Sequence, residues 1–118
     1  MFLNEGAFGY TINGKGFPAT QPLTAKLGEK VLIRMIDVGE MTHTMHLHGY
    51  HFPVIAHDGY ALTTPEEVDT IVISPGQTID GLVTANQLGV WAFHCHVLNH
   101  AEGPEGMFGM VTAFIVTK

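Results

Sequence analysis

Short runs of apolar residues, many alternating with polar ones, fill this chain and are separated by turns containing glycine, asparagine or proline. Such alternation is typical of half-buried β-strands, and no long stretch keeps the period of an amphipathic helix. One short helix is expected at residues 64–68, because Pro65 suits a first helical turn. The pattern predicts an all-β protein, an antiparallel sandwich or barrel. The predicted strands are residues 7–12, 30–37, 44–48, 52–56, 70–73, 81–84, 90–96 and 110–117.

The size and charge of the chain restrict its organisation and its partners. A length of 118 residues suits one domain, so residues 1–118 are predicted to form a single unit. The net charge is −6, from 5 basic and 11 acidic residues without a basic run, which disfavours nucleic acid and anionic membranes as partners. No apolar stretch reaches the roughly 18 residues of a membrane span. The first residues, MFLNEGAFGY, lack the pattern of a signal peptide.

Histidine is concentrated in two motifs, HTMHLHGYH at residues 43–51 and HCHVLNH at residues 94–100. Because successive side chains of a strand point to opposite faces, His94 and His96 are expected on one face and Cys95 on the other. Cys95 has apolar neighbours on its face and is expected to point into the sandwich. By the same alternation, His46 and His48 share the outward face while Leu47 points inward.

The inward group has the donors of a blue-copper site, which are a cysteine thiolate, two imidazoles and a distant thioether. The candidates are His43, Cys95 and His100, with Met107 or Met110 as a weak axial ligand. Zinc also binds Cys and His, but structural zinc sites usually take two or more cysteines. The single cysteine therefore favours copper, and it cannot form a disulfide within the chain.

The outward group is an imidazole cluster that suits copper, zinc, iron or nickel, and it consists of His46, His48, His94 and His96. Cys95 is covalently adjacent to two of these histidines, so the backbone joins the inner site to the outer one and suggests a path for electrons. His51 and His57 fit no ligand position and are expected at the surface or in support of the ligands.

The motifs HTMHLHGYHF and HCHVLNH resemble the two copper motifs of the C-terminal cupredoxin domain of multicopper oxidases, the laccase-like group. The segments YTINGKGFPAT, GEKVLIRMID and DTIVISPGQTIDGLVTA are also similar to that domain, so the resemblance covers nearly the whole chain. It implies a Greek-key β-sandwich or barrel of the cupredoxin type that holds copper.

The resemblance also implies a role for each ligand. His43, Cys95 and His100 would bind the type 1 copper, with Met107 favoured over Met110 as the axial ligand because EGMFGMV is similar to the GMFGK-type ending of some blue-copper proteins. The type 2 copper would be bound by His46, and the type 3 pair by His48, His94 and His96. The sequence departs from the family at the long loop AEGPEG and at Ala101, where some relatives carry a carboxylate.

The implied activity is one-electron oxidation of a reducing substrate at the type 1 copper, with electrons passing through Cys95 to a trinuclear cluster that reduces dioxygen to water. The residues implied in catalysis are His43, His94, Cys95, His96 and His100. The donor would be a phenol, an aromatic amine or a metal ion. By the same resemblance, the location would be periplasmic or extracellular.

The family's trinuclear cluster takes its histidines equally from two cupredoxin domains, and this chain supplies only half of them. A second copy would complete the cluster in a dimer, trimer or hexamer, or the chain would be one domain of a longer oxidase. The main alternative is a single-domain electron carrier that fills only its type 1 site. A copper nitrite reductase is a weaker alternative, because HCH is typical of a type 3 pair, and a non-catalytic zinc or structural domain comes last.

Overall fold

The computed structural model describes residues 1–6, 9–97, 100–103 and 106–118, and within them thirteen β-strands and no α-helix. The strands are β1 Phe2–Gly6, β2 Gly9–Ile12, β3 Leu23–Lys26, β4 Lys30–Asp37, β5 His43–Leu47, β6 Phe52–His57, β7 Tyr60–Val68, β8 Thr70–Ile73, β9 Thr78–Thr84, β10 Gly89–Cys95, β11 Glu102–Gly103, β12 Gly106–Met107 and β13 Val111–Thr117. In this part of the chain, no helix is long and apolar enough to cross a membrane.

The strands form two large sheets and one small hairpin. The first sheet has the order β2-β1-β4-β9-β6-β7, the second has the order β3-β13-β10-β5-β8, and β11 pairs with β12. Most pairs are antiparallel, as the sequence predicts, but β1 lies parallel to β4 and β3 lies parallel to β13. Because β4 and β5 follow each other in sequence yet lie in different sheets, the chain crosses between the sheets there.

The inner faces of the two sheets pack against each other through large apolar side chains. Phe52 of the first sheet and Phe93 of the second have ring centroids 6.3 Å apart, and both side chains are buried. The second sheet also contributes the buried side chains of Phe114, Met45 and Leu47. Burial of side chains of this size stabilises a fold by about 1.5–3 kcal/mol each. This packing confirms the predicted all-β sandwich.

The predicted helix at residues 64–68 is wrong, because these residues belong to β7. β7 is the edge strand of the first sheet, where a proline costs no hydrogen bond to a further strand. The pairing of β6 with β7 also shifts between Val54 and Ala56, opposite the segment that contains Pro65. Tertiary pairing at an edge therefore overrides the local preference of Pro65 for a first helical turn.

The predicted strands agree with the observed ones to within a few residues at most ends. Residues 7 and 8 of the first predicted strand lie outside the described residues, and the strand is observed as Gly9–Ile12. β1, β3, β7 and the β11–β12 hairpin were not predicted. β5 starts at His43, and β10 ends at Cys95. These two strands pair directly, which places the two histidine motifs side by side.

Candidate metal centres

The inner centre is formed where the start of β5 meets the end of β10. His43 opens β5, Cys95 closes β10, and His100 follows in the next loop. All three side chains are buried, with exposures of 0%, 0% and 3%. Their candidate ligand atoms all lie within 4.8 Å of one another. The structure thus brings together the three inner residues that the two histidine motifs predict as one site.

The donor atoms of this group form a small triangle. Nδ1 of His43 lies 3.1 Å from Nδ1 of His100, and Sγ of Cys95 lies 3.6 Å from the first nitrogen and 3.5 Å from the second. A point equidistant from all three atoms is about 2.0 Å from each, close to the ~2.0–2.3 Å of metal–imidazole and metal–thiolate bonds. The set of two nitrogens and one thiolate fits copper.

The electrostatics of the group favour a thiolate. Burial opposes ionisation of Cys95, but the contact with His43 and hydrogen bonds from the backbone of Thr44 and Val97 hold the pKa of the thiol below its usual value. Burial likewise opposes the charged form of His43, yet its contacts with Cys95 and with Glu5 raise the pKa of the imidazole. Because the thiolate is the form that binds metal, the lowered pKa of Cys95 favours binding of a soft cation.

The surroundings of His100 are closely packed. The ring of Tyr10 stacks on the ring of His100 with centroids 4.1 Å apart and an angle of 23° between planes. Gly109 has φ of +72°, and a Cβ there would lie 2.7 Å from the carbonyl oxygen of His100. Only glycine combines that conformation with that approach. The ring of His100 is therefore packed against Tyr10, and its backbone is packed against Gly109.

The two methionine candidates for the axial position lie in different environments. Met107 is 42% exposed and belongs to β12, whereas Met110 is 0% exposed. The backbone of Met110 accepts a hydrogen bond from the N–H of Cys95 at 3.0 Å, so Met110 is tied to the site through its main chain. The assignment of Met107 as axial ligand remains a prediction.

The outer centre lies on the opposite face of β5 and β10. It consists of His46, His48, His94 and His96, whose neighbouring rings have centroids between 5.0 and 5.9 Å apart. His94 was expected to face outward with its partners, and it does contact them, but it is only 5% exposed. The rings of the other three histidines cover it, so a position on the outer face does not make it accessible.

Hydrogen bonds fix which nitrogen of two of these rings can bind a metal. Nδ1 of His46 lies 2.7 Å from the carbonyl oxygen of Asp69, and Nδ1 of His94 lies 3.0 Å from the carbonyl oxygen of Cys95. A carbonyl oxygen only accepts hydrogen bonds, so each Nδ1 carries the proton and donates it. Nε2 is then unprotonated, and its lone pair is free to bind a metal. The tautomers of His46 and His94 are therefore set by the backbone.

His48 and His94 approach each other most closely in the outer centre, with their Nε2 atoms 2.9 Å apart. The pKa of His48 lies below its usual value, chiefly because the ring is partly buried. The nearby imidazoles of His94, His46 and His96 lower this pKa further. The ring therefore stays neutral to lower pH than a free imidazole would, and a neutral imidazole is the form that binds metal.

The two remaining histidines belong to neither centre. His57 is in the first sheet, with Nε2 3.8 Å from a carboxylate oxygen of Glu66, and both side chains are well exposed. His51 is exposed in the loop before β6. Their positions agree with the surface location expected from the sequence.

Sequence reasoning missed two carboxylates beside the inner centre. Glu5 and Asp37 come from the neighbouring strands β1 and β4, and their oxygens lie within 4.8 Å of each other and of a ring nitrogen of His43. Glu5 stands 38 residues before His43. No spacing pattern in the sequence links Glu5 to His43, because the parallel pairing of β1 with β4 places Glu5 beside Asp37 and the fold then sets both carboxylates against His43.

Comparison with known proteins gives one consistent result. The family model of the multicopper oxidases matches residues 2–118. Copper resistance protein A of Pseudomonas syringae pv. tomato is 39% identical over 101 residues, which are 86% of this chain and 16% of that protein. Multicopper oxidase MmcO of Mycobacterium tuberculosis is 34% identical over 89 residues, covering 75% of this chain and 17% of that protein.

A solved structure agrees with the sequence matches. The blue copper oxidase of Nitrosomonas europaea superposes with a TM-score of 0.87 at 30% identity, covering 98% of this chain and 42% of that one. The sandwich is thus of the cupredoxin type found in multicopper oxidases. The chain spans about a sixth of the length of the two sequence relatives.

Proposed function

The chain belongs to the multicopper oxidase family, and from this premise we propose that it oxidises a small reducing substrate in one-electron steps and passes the electrons toward dioxygen. Copper, when bound, supplies the one-electron chemistry. The observation that carries the proposal is the direct connection between two candidate metal centres on one pair of strands, β5 and β10.

The inner centre is proposed as the type 1 copper site, held by His43, Cys95 and His100 with Met107 as axial donor. The triangle of Nδ1, Nδ1 and Sγ atoms supports this assignment, as does the lowered pKa of the Cys95 thiol. Substrate would give up its electron here. Soft thiolate and thioether donors suit the cycling of copper between two oxidation states.

Two routes lead from the inner centre to the outer one. The backbone joins Cys95 covalently to His94 and His96, and the carbonyl oxygen of Cys95 also accepts a hydrogen bond from Nδ1 of His94 at 3.0 Å. This hydrogen bond shortens the path from the cysteine to the metal-binding imidazole. Cys95, His94 and His96 are accordingly proposed as the electron path.

The outer centre is proposed as half of the trinuclear cluster, with His46 for the type 2 copper and His48, His94 and His96 for the type 3 pair. The 2.9 Å separation of Nε2 of His48 and Nε2 of His94 supports a shared metal for these two. The chain is proposed as a single cupredoxin domain over residues 1–118. Completion of the cluster then requires another domain or another copy.

We propose two ways to complete the trinuclear cluster. The chain covers only 16–17% of its sequence relatives, which supports a place as one domain of a longer oxidase. The alternative is a homo-oligomer, either a dimer, a trimer or a hexamer. In a dimer or a hexamer, a two-fold interface would bring the four-histidine faces of two copies together, because it uses the same patch on both subunits. Sedimentation of copper-loaded chain that shows monomer alone would contradict the oligomer.

A second candidate function is supported by the completeness of the inner centre. One chain supplies all three buried donors of that site but only four histidines of the outer one. A single-domain blue-copper electron carrier would use the first site and leave the second unfilled. This candidate belongs to a different functional class, since it transfers electrons without reducing dioxygen.

Copper count, spectrum and oxygen uptake decide between the two candidates. An assembled oxidase is expected to bind about two and a half coppers per chain, and a carrier about one. The loaded protein should show the visible and EPR signals of a copper–thiolate site in either case. Oxygen uptake with a phenolic donor, lost in Cys95→Ser, supports the oxidase. A blue protein with one copper and no uptake supports the carrier.

A further inference from the structure

The second nitrogen of His43 points away from the inner centre toward a carboxylate. Nδ1 faces Cys95 and His100, while Nε2 lies 3.0 Å from Oε2 of Glu5. Metal-binding histidines usually donate their other N–H to an acceptor of this kind, which fixes the tautomer and the direction of the ring. The Glu5 side chain is 14% exposed and His43 is fully buried, so water does not easily replace this contact.

The carboxylate of Glu5 is held by the loop that precedes β5. Its Oε1 accepts hydrogen bonds from the backbone N–H groups of Glu40 and of Met41, the latter at 2.8 Å. A Cβ on Gly39 would collide with the carboxylate, so the absence of a side chain there makes room for it. Each oxygen of Glu5 therefore has an assigned partner, one in the loop and one on His43.

The charge on Glu5 is favoured by the same contacts. Its oxygens accept hydrogen bonds from two backbone N–H groups and face Nε2 of His43, and each of these contacts favours the ionised carboxylate. A negative charge is thus fixed against the far edge of a proposed metal ligand. A fixed anion at that position stabilises the more positive state of a bound metal ion relative to the reduced state.

We propose that Glu5 is a positioning residue for the inner copper site. It holds His43 as the tautomer with its proton on Nε2 and its lone pair on Nδ1, and its charge lowers the reduction potential of the bound copper. This inference rests on the proposed role of His43 as a ligand. Nothing in the two histidine motifs themselves assigns a role to the first strand of the chain.

Three variants separate the two parts of the proposal. Glu5→Gln keeps the shape and one accepting oxygen but removes the charge. Glu5→Ala removes the hydrogen-bond acceptor as well as the charge. Glu40→Gln is the matched control, because it removes a charge from an exposed side chain in the adjoining loop and leaves the backbone N–H of residue 40 in place. Urea unfolding of each copper-free variant identifies any that fails to fold, and Glu5→Gln then carries the test.

The first measurement uses copper-free protein and nitrogen NMR of the histidine rings at mildly alkaline pH. We expect His43 to carry its proton on Nε2 in the parent and in Glu40→Gln, and to become a mixture of tautomers in Glu5→Ala. We also expect copper affinity at the inner site to fall about 10–100-fold in Glu5→Ala. A parent with the proton on Nδ1, or unchanged affinity in Glu5→Ala, would overturn the positioning role.

The second measurement is the reduction potential of the blue site in the loaded chain. We expect it to rise in Glu5→Gln and to stay at the parent value in Glu40→Gln, and equal potentials in all three proteins would overturn the electrostatic role. Neither measurement requires oxygen uptake. A chain that consumes no oxygen would therefore count against the proposed oxidase, and the role of Glu5 could still be measured. Unchanged tautomers and potentials would count against the role of Glu5 alone and leave the proposed oxidase standing.

Discussion

Nε2 of His48 and Nε2 of His94 lie 2.9 Å apart, although 46 residues separate them in the chain. The antiparallel pairing of β5 with β10 sets this contact, because it places His46 opposite His94, and His48, two residues further on the same face, is then the diagonal neighbour of His94. Two imidazole nitrogens at this distance can share a hydrogen bond in the metal-free chain. In the proposed outer centre, both would be ligands of one metal ion.

Removal of either histidine of this pair should empty the outer centre and leave the inner one intact. In copper-loaded assembled protein, His48→Asn and His94→Asn are each expected to lower the copper count toward one per chain, because a ligand of the cluster is lost. The visible band of the copper–thiolate site should persist. His57→Asn, on the other sheet, is the matched control and should change neither quantity. An unchanged copper count in both ligand variants would contradict the assignment.

Removal of the thiolate should have the reverse effect. Cys95→Ser is expected to abolish the intense visible band, because the serine hydroxyl is a harder donor that does not ionise at neutral pH. The four outer histidines are unchanged, so metal bound by them should stay. Visible absorption together with metal analysis checks this outcome. A blue colour retained in Cys95→Ser would place the chromophore elsewhere.

The backbone of β9 should not tolerate a side chain at its centre. A Cβ on Gly81 would overlap the ring of Phe52, which is buried at the contact between the two sheets. Gly81→Ala is therefore expected to lower the free energy of unfolding by about 1–3 kcal/mol through overpacking. Gly6→Ala is the control, since a Cβ there meets nothing within 4 Å. Urea unfolding of both variants measures the difference, and equal midpoints would show that the Phe52 ring relaxes freely.

The buried carboxyl of Asp37 should make stability depend on pH. Asp37 is 1% exposed, and among the described residues its Oδ2 has no hydrogen-bond partner. Burial raises the pKa of this carboxyl, although hydrogen bonding from Gly39 and the charge of His43 oppose the rise. The stabilisation by its neutral form is fully present below the unfolded pKa of about 3.9 and is lost as pH rises through the higher folded pKa.

Asp37→Asn cannot ionise, and it keeps an oxygen that can accept the hydrogen bond from the N–H of Gly39. We expect this variant to be more stable than the parent at neutral pH and to lose that advantage in acid. The free energy of unfolding of copper-free protein against pH measures the effect. The exposed carboxylate of Glu67 provides the control, because Glu67→Gln should leave the pH dependence unchanged. A parent that is as stable as Asp37→Asn at neutral pH would count against a buried charge.

The alternation of residues in the two motifs was sufficient to divide the ligands between two centres. Since side chains of a strand alternate between faces, Cys95 had to point away from His94 and His96, and the structure confirms the division. The same rule placed Leu47 in the core, where it is 1% exposed. Short local spacing carries this information, so no knowledge of the remaining chain was needed.

Local pattern failed where long-range pairing decides the outcome. Pro65 suggested a helical turn, but the edge position of β7 accepts it in a strand. The burial of His94 depends on rings from the neighbouring strand, which alternation within β10 cannot reveal. In both cases the deciding contacts come from residues that are distant in sequence.

Local spacing alone therefore predicts the β-sandwich, the two sets of candidate metal-binding side chains and the covalent link between them, because each follows from one strand or one motif. The contacts of Nδ1 of His43 and Nδ1 of His100 with the sulfur of Cys95, and the position of Glu5 on the far side of His43, follow from the tertiary fold. Those contacts depend on strand pairing across the whole chain. The physical reason is that sheet register, set by packing of the two inner faces, fixes distances that no local spacing encodes.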